Sequence, residues 1–205
     1  MGWLIVVLCS NQVELLALAV SGFLLVGPIF SAGFYAVSSL RGSGQKVDFD
    51  TSLDAALKNM LSLSRLGGML GVIAIAWGIM SSALFRQAFG DTLPEVQINF
   101  YGTILDWPDS GFLVTYFASG AILAALAFAI SAVSAPLLFD RGGNTRRAVM
   151  ISIKAVYRNP LAMAVWAALI VALTALGFAT FMLGLIVILP LIGHATWHAY
   201  RDLVR

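Results

Sequence analysis

Two histidines, His194 and His198, stand one helical turn apart in the segment LIGHATWHAY, at the end of a long apolar run. Side chains at i and i+4 leave a helix on the same face, so the two imidazoles can act as adjacent ligands of one divalent ion. A third ligand would still be needed. Asp202 continues the stripe but lies two turns from His194, while Asp140 or Asp54 would have to arrive from another connector. The flanking residues offer a second reading. Trp197, His198, Tyr200 and Arg201 form the amphipathic set that anchors a helix end at headgroup level. His194, one turn deeper, would then hydrogen-bond a carbonyl freed near Pro190 or a serine on another span. The neighbours favour the anchor over the metal ligand, and both readings stay open.

The elements that must position these side chains are apolar throughout. Of 205 residues, 60% are hydrophobic and 11% charged, with a mean hydropathy of +0.92. Soluble domains carry about 25% charged residues, so this chain cannot cover a water-facing surface and must face lipid. The balance of 12 basic against 10 acidic residues leaves +2, too little to point to nucleic acid. A single cysteine, Cys9, excludes an intramolecular disulfide and a cysteine-rich metal cluster.

Apolar stretches run over residues 15–40, 66–85, 112–139, 161–176 and 180–200, each long enough to cross a bilayer. The opening MGWLIVVLCSNQ is apolar over residues 3–9, without the basic region and cleavage site of a signal peptide. It reads as the second half of a spanning helix, which predicts either a truncated chain or a start assigned to an internal Met.

The connectors carry the orientation. Arg41, Lys46, Lys58 and Arg65 fall between the stretches 15–40 and 66–85. Arg141, Arg146, Arg147, Lys154 and Arg158 fall between 112–139 and 161–176, and Arg201 and Arg205 follow the last. Arg86 alone lies on the opposite side, so eleven of twelve bases share one face, which the positive-inside rule makes cytoplasmic. The C-terminus is then cytoplasmic.

Two basic connectors hold amphipathic helices. TSLDAALKNMLSLSR places Leu53, Ala56, Leu57, Met60 and Leu61 on one face and opens with Thr51 and Asp54 at capping-box spacing. NTRRAVMISIKAVYRNP has Asn144 as N-cap and Val149, Ile153 and Val156 on one face. Both are expected to lie in the headgroup plane, where a base near anionic lipid contributes on the order of 1 kcal/mol. Each is followed by a breaker, Gly67-Gly68 or Asn159-Pro160, and then a membrane hairpin. Pro28, Pro136 and Pro190 recur in the cytoplasmic halves of alternate spans, with Ser31, Ser131 and Ser134 near enough to satisfy freed carbonyls. The pattern is a weak internal repeat within one membrane domain, 1–205. It comprises an incomplete first hairpin unit at 1–40, a second at 51–139 and a third at 144–205.

The segments SGFLLVGPIFSAGFY, SAVSAPLLFDR and LGLIVILPLIGHATWHAYRDLV resemble a bacterial family of integral membrane proteins filed as a domain of unknown function. The resemblance runs from Gly2 to Val204, and the C-terminal motif is its most specific part. Members usually begin some tens of residues earlier, with a basic amphipathic segment. The resemblance implies a bacterial inner-membrane location and no established activity. Some members are labelled cytochrome c oxidase subunit I-like. That chemistry needs about six imidazoles from several helices to hold two haems and a copper; two are present, and i, i+4 side chains cannot reach opposite faces of one haem.

Other chemistry has little to rest on. There is no Walker loop, nucleophile elbow or buried carboxylate pair, so neither an enzyme nor a cofactor is expected. Glu14 and Arg86 sit near the outer ends of their spans, leaving no central charge to mark an ion path. The proline-broken helices nonetheless follow transporter logic. Gly67 and Gly71, and Ala121, Ala125 and Ala129, form small-residue faces expected to serve internal packing more than a homodimer seam. The outer loop with Phe100, Tyr101, Ile104 and Trp107 is expected to lie on lipid or to dock a periplasmic partner.

The sequence therefore predicts an all-α integral membrane protein, a polytopic helical bundle of about five to six transmembrane helices with two cytoplasmic interfacial helices. Its partners are membrane lipids, with a membrane-protein partner or a second copy beside them. The leading expectation is a non-catalytic accessory or scaffold protein of the bacterial inner membrane. A small-solute or metal-ion transporter or channel, with His194 and His198 at its cytoplasmic mouth, is the alternative.

Overall fold

The structure, a computed structural model, describes residues 31–44, 46–90, 110–180 and 183–204. Among these residues every regular element is helical. A helical stretch at 31–42 precedes α1 (Phe49–Leu57), α2 (Met60–Phe89), α3 (Ser110–Ser131), α4 (Ser134–Arg141), α5 (Thr145–Arg158), α6 (Pro160–Ala179) and α7 (Leu185–Leu203). The half-span at residues 3–9, the first part of the 15–40 stretch and most of the outer loop lie outside the described residues.

Among the described residues three helices are long and apolar enough to cross a bilayer: Met60–Phe89, Gly111–Arg141 (α3 through α4) and Pro160–Ala179. The other expected spans fall on α7, whose last turns carry His194, His198, Arg201 and Asp202, and on residues outside the described set. Along α2, Leu63, Leu66, Leu70, Ile73, Trp77, Ser81 and Phe85 are buried at spacings of three and four, while Val72, Ile75 and Ile79 point outward. An apolar helix with apolar residues on its exposed face belongs in lipid. For α6 the imbalance is greatest, with 17% of its spanning window buried.

The breaker expected at Gly67-Gly68 is not there: α2 runs through both glycines from Met60. Glycine weakens a helix by about 1 kcal/mol without forbidding it, and here the buried Leu63, Leu66 and Leu70 hold the turns on either side. The other expected breaker, Asn159-Pro160, does separate α5 from α6, with proline at the first helical position, where its missing N–H has no partner to lose. The first capping box also sits one turn earlier than expected. Asp48 is the N-cap and Thr51 the third residue, each side chain bonding the other's backbone. Asn144 caps α5 as expected, accepting from the amides of Arg146 and Arg147.

The chain divides into two compact units. The first comprises residues 1–25 and 71–126. Its described part is an aromatic seam between α2 and α3: Phe85 packs edge-on against Phe112 at 5.3 Å and Tyr116 at 5.4 Å, and Trp77 lies 5.0 Å from Tyr116. Ser81 and Tyr116 join hydroxyls at 3.3 Å. A Cβ at Gly120 would lie 3.0 Å from the Trp77 ring, so this glycine makes room for the indole. Of the small-residue faces expected to pack internally, Ala121 and Ala125 are exposed, Ala129 is half-buried, and a Cβ at Gly71 would meet nothing within 4 Å.

The second unit comprises residues 26–70 and 127–205. Its centre is α4, buried from Ser134 to Phe139, with α5 and α7 packed on it and α6 folded back against α7. The α4–α5 turn is held by the residues that open α2. Asn59 Nδ2 donates to the Phe139 carbonyl at 2.8 Å, Ser62 Oγ to Gly143 O at 3.0 Å, and Thr145 Oγ1 to Ser62 O at 3.2 Å. The two basic connectors are thus clasped together. The spanning helix breaks at Ala132-Val133, and Ser152 of α5 fills the break, donating to Ala129 O at 2.8 Å and accepting from Val133 N at 3.1 Å. Two of the serines proposed to serve proline-freed carbonyls bond elsewhere, Ser131 to Ala127 O within α3 and Ser134 to Ile130 O across the α3–α4 break.

Candidate functional site

The two sequence-singled histidines part company in the structure. His194 turns inward: its Nδ1 lies 2.5 Å from Ser38 Oγ on the 31–42 helix, and its ring packs on Phe34 at 5.9 Å. Gly193 is what allows the approach, since a Cβ there would lie 2.8 Å from Phe34 Cβ. His198, one turn on, is exposed. A serine on another span was one of the two partners expected of His194, and Ser38 fills that role.

Beside this pair stands an aromatic box. Tyr35 stacks on Trp197 at 6.2 Å and meets the edge of Phe139 at 5.9 Å; Phe139 closes on Trp197 at 5.6 Å. Tyr200 packs on Trp197 and donates its hydroxyl to Asp140 Oδ2 at 2.7 Å. The same carboxylate oxygen lies 3.7 Å from Arg141 Nε. Trp197 and Tyr200 are 2% and 1% exposed, so the expected headgroup anchor is corrected. These rings are core, because α4 and the 31–42 helix supply partners for them, and His198 and Arg201 are the members of that quartet left at the surface.

Asp140, one of the possible third metal ligands, is engaged by Tyr200 and Arg141 rather than by a histidine. Among the described residues no three His, Cys, Asp or Glu side chains converge to hold an ion. A serine hydroxyl against an imidazole is also the geometry of an activated nucleophile. Ser38 is 7% exposed, and among the described residues no carboxylate bonds the far ring nitrogen of His194. The pair works as an interhelical clamp, in which either atom can donate. An open recess of about 300 Å³ lies at the end of α7, lined by Asp140, Arg141, Tyr200, Arg201 and Val204.

Sequence reasoning missed Tyr35, Ser38 and Ser152. For the first two a signal was available: Ser31, Tyr35 and Ser38 fall at i, i+4 and i+7 of an apolar helix, a polar stripe that needs partners in a membrane. Ser31 bonds the Tyr35 hydroxyl. Ser152 carries no such mark, because its partners are backbone groups of a helix distant in sequence.

Residues 15–140 match the family model described as "Predicted integral membrane protein (DUF2189)". The C-terminal histidine segment lies beyond the matched residues. No curated protein and no solved structure matches the chain.

Proposed function

The chain belongs to the DUF2189 family of integral membrane proteins, and from that premise we propose that it is a non-catalytic accessory or scaffold protein of the bacterial inner membrane. In this reading it is a bundle of five to six spans built from related hairpin units, with the basic connectors and the C-terminus cytoplasmic. It works by lateral helix contacts and by contacts at the membrane interface. The observation that carries the reading is how much apolar helix surface the fold leaves open while its interior polar groups close on one another. The exposed faces of α2 and α6, with Ile75, Ile79, Val165 and Val171, are free to take a neighbouring helix. Inside, Ser38 meets His194, Tyr200 meets Asp140 and Ser152 meets the α3–α4 backbone.

Photo-crosslinking in intact membranes tests this reading. A crosslinkable residue at Val165 or Ile75 should give one discrete protein adduct, either a second copy or a distinct membrane protein, and probing that adduct from its own side should return this chain. Adducts with lipid alone overturn the scaffold reading.

A polar pair inside apolar helices also supports the second reading, a transporter or channel whose cytoplasmic mouth holds His194 and His198. In proteoliposomes His194→Ala/His198→Ala should then abolish solute or metal flux; unchanged flux removes that role.

A further inference from the structure

We propose that α5 is an anionic-phospholipid binding edge, in which Arg147, Lys154 and Arg158 hold headgroup phosphates of the bilayer that surrounds the protein. The proposal rests on the membrane-interface part of the reading above and names the lipid class.

Helix α5 presents three faces. Thr145, Ala148, Val149 and Ser152 are buried against the protein. A second face is apolar and open: Met150, Ile153 and Tyr157, at i, i+3 and i+7, are 66%, 45% and 84% exposed, and Leu161 continues it past the turn at 79%. The sequence had grouped Ile153 with Val149, but Val149 faces inward and Ile153 outward. Beside the apolar stripe run Arg147, Lys154 and Arg158, at i, i+7 and i+11, all exposed. They span about 16 Å along the axis at about 1.5 Å per residue. An apolar stripe bordered by cations, on a helix lying flat, is the arrangement that sinks into the acyl boundary and meets phosphates above it.

Two further observations name the occupant. Leu161 opens α6, a spanning helix whose apolar surface is mostly uncovered, so the stripe on α5 is continuous with the lipid-facing side of the protein. Charge then selects the headgroup. Residues 142–161 hold four bases and no acid. Among the described residues the ion pair formed is Arg141 with Asp140, which leaves the three α5 cations without a carboxylate.

The other interfacial helix serves as an internal comparison. Phe49, Leu53 and Leu57 of α1 are exposed as well, but residues 41–65 set Arg41, Lys46, Lys58 and Arg65 against Asp48, Asp50 and Asp54, a net charge of +1. That connector has the apolar stripe with little of the net charge.

The test uses the full chain with Cys9→Ser and one new cysteine, Tyr157→Cys on α5 or Leu57→Cys on α1, carrying an environment-sensitive fluorophore. The protein is reconstituted into bilayers of phosphatidylcholine and phosphatidylglycerol in which one or the other lipid is brominated. At 157 brominated phosphatidylglycerol should quench with a relative association constant roughly tenfold above that of phosphatidylcholine, falling towards one in high salt. Arg147→Gln/Lys154→Gln/Arg158→Gln should bring the ratio to about one at low salt, and the probe at 57 should show no preference. Equal quenching by both lipids at 157, or a preference kept by the triple variant, overturns the anionic-lipid site while leaving α5 at the interface. No quenching by either lipid places α5 away from the bilayer and overturns the interface reading together with the proposal.

Discussion

Ser152 and Val133 are joined by a 3.1 Å hydrogen bond in which the buried serine hydroxyl takes the backbone amide that an unbroken helix would give to Ala129. Ser152 returns the bond by donating to Ala129 O at 2.8 Å. The α3–α4 break is thus stabilised by a side chain from α5, a hydroxyl inserted into the helical ladder. The contact ties α5, the proposed lipid edge, into a helical segment long and apolar enough to cross a bilayer.

Removing that hydroxyl should loosen the break. Ser152→Ala leaves the Val133 amide and the Ala129 carbonyl without their partner, which costs about 1–3 kcal/mol where the groups are buried. Thermal unfolding in mild detergent should show the loss. Hydrogen exchange at Val133 should rise with it, and unchanged exchange there would mean the break does not depend on Ser152.

The clamp between Ser38 and His194 should appear as a coupling. Ser38→Ala, His194→Phe and the double variant, unfolded in mixed micelles, should give an interaction energy of about 0.5–2 kcal/mol, the range of interhelical hydrogen bonds in membranes. Additive losses would show two residues that happen to be near each other.

Gly142 and Gly143 separate strain from collision. Gly142 has φ 62° and ψ −151°, a region that is essentially glycine's own and costs about 1–3 kcal/mol for other residues. A Cβ there would also lie 2.5 Å from Asn59 Oδ1. Gly143 has φ 92° but open space around it. Gly142→Ala should therefore lower the melting temperature more than Gly143→Ala, and Asn59→Ala should narrow the gap. Equal effects would indicate that the Asn59 contact does not form.

The N-cap of α1 should be sensitive to acid. Hydrogen bonds from the Thr51 hydroxyl and amide hold the Asp48 carboxyl below the usual aspartate range. A folded value below the unfolded one means the stabilisation is complete above the unfolded pKa and is lost as pH falls through the folded one. Exchange of the Thr51 amide, corrected for its intrinsic rate, should accelerate below about pH 4. Asp48→Asn, which keeps an acceptor without the charge, should show no such pH dependence.

The basic connectors predict a sidedness that labelling can test. In a Cys9→Ser background, Asp50→Cys and Arg146→Cys should react with an impermeant maleimide only after the inner face is opened, and Asp91→Cys from outside. Labelling of Arg146→Cys in sealed cells would reverse the orientation.

Much of this was legible from the residues. Hydropathy alone marks membrane helices, because a bilayer admits long apolar stretches and excludes charge from its core. The Asn144 cap and the Asn159-Pro160 break were also readable, since both are local rules of backbone chemistry. Gly67-Gly68 misled because glycine's cost is small, and leucines buried on neighbouring turns outweigh it. The family match over residues 15–140 agrees with the membrane reading.

What the sequence determined by itself is the solvent of the protein: helices for lipid, with the bases held to the connectors between them. Those follow from transfer free energies that each residue carries wherever it sits. What tertiary structure decided is which polar groups meet. His194 faces Ser38 while His198 stays outside, and Trp197 and Tyr200 are core rather than anchor. Inside lipid a polar side chain must find a partner, but its identity depends on which helices pack side by side, and residues more than a hundred positions apart carry no local trace of that pairing.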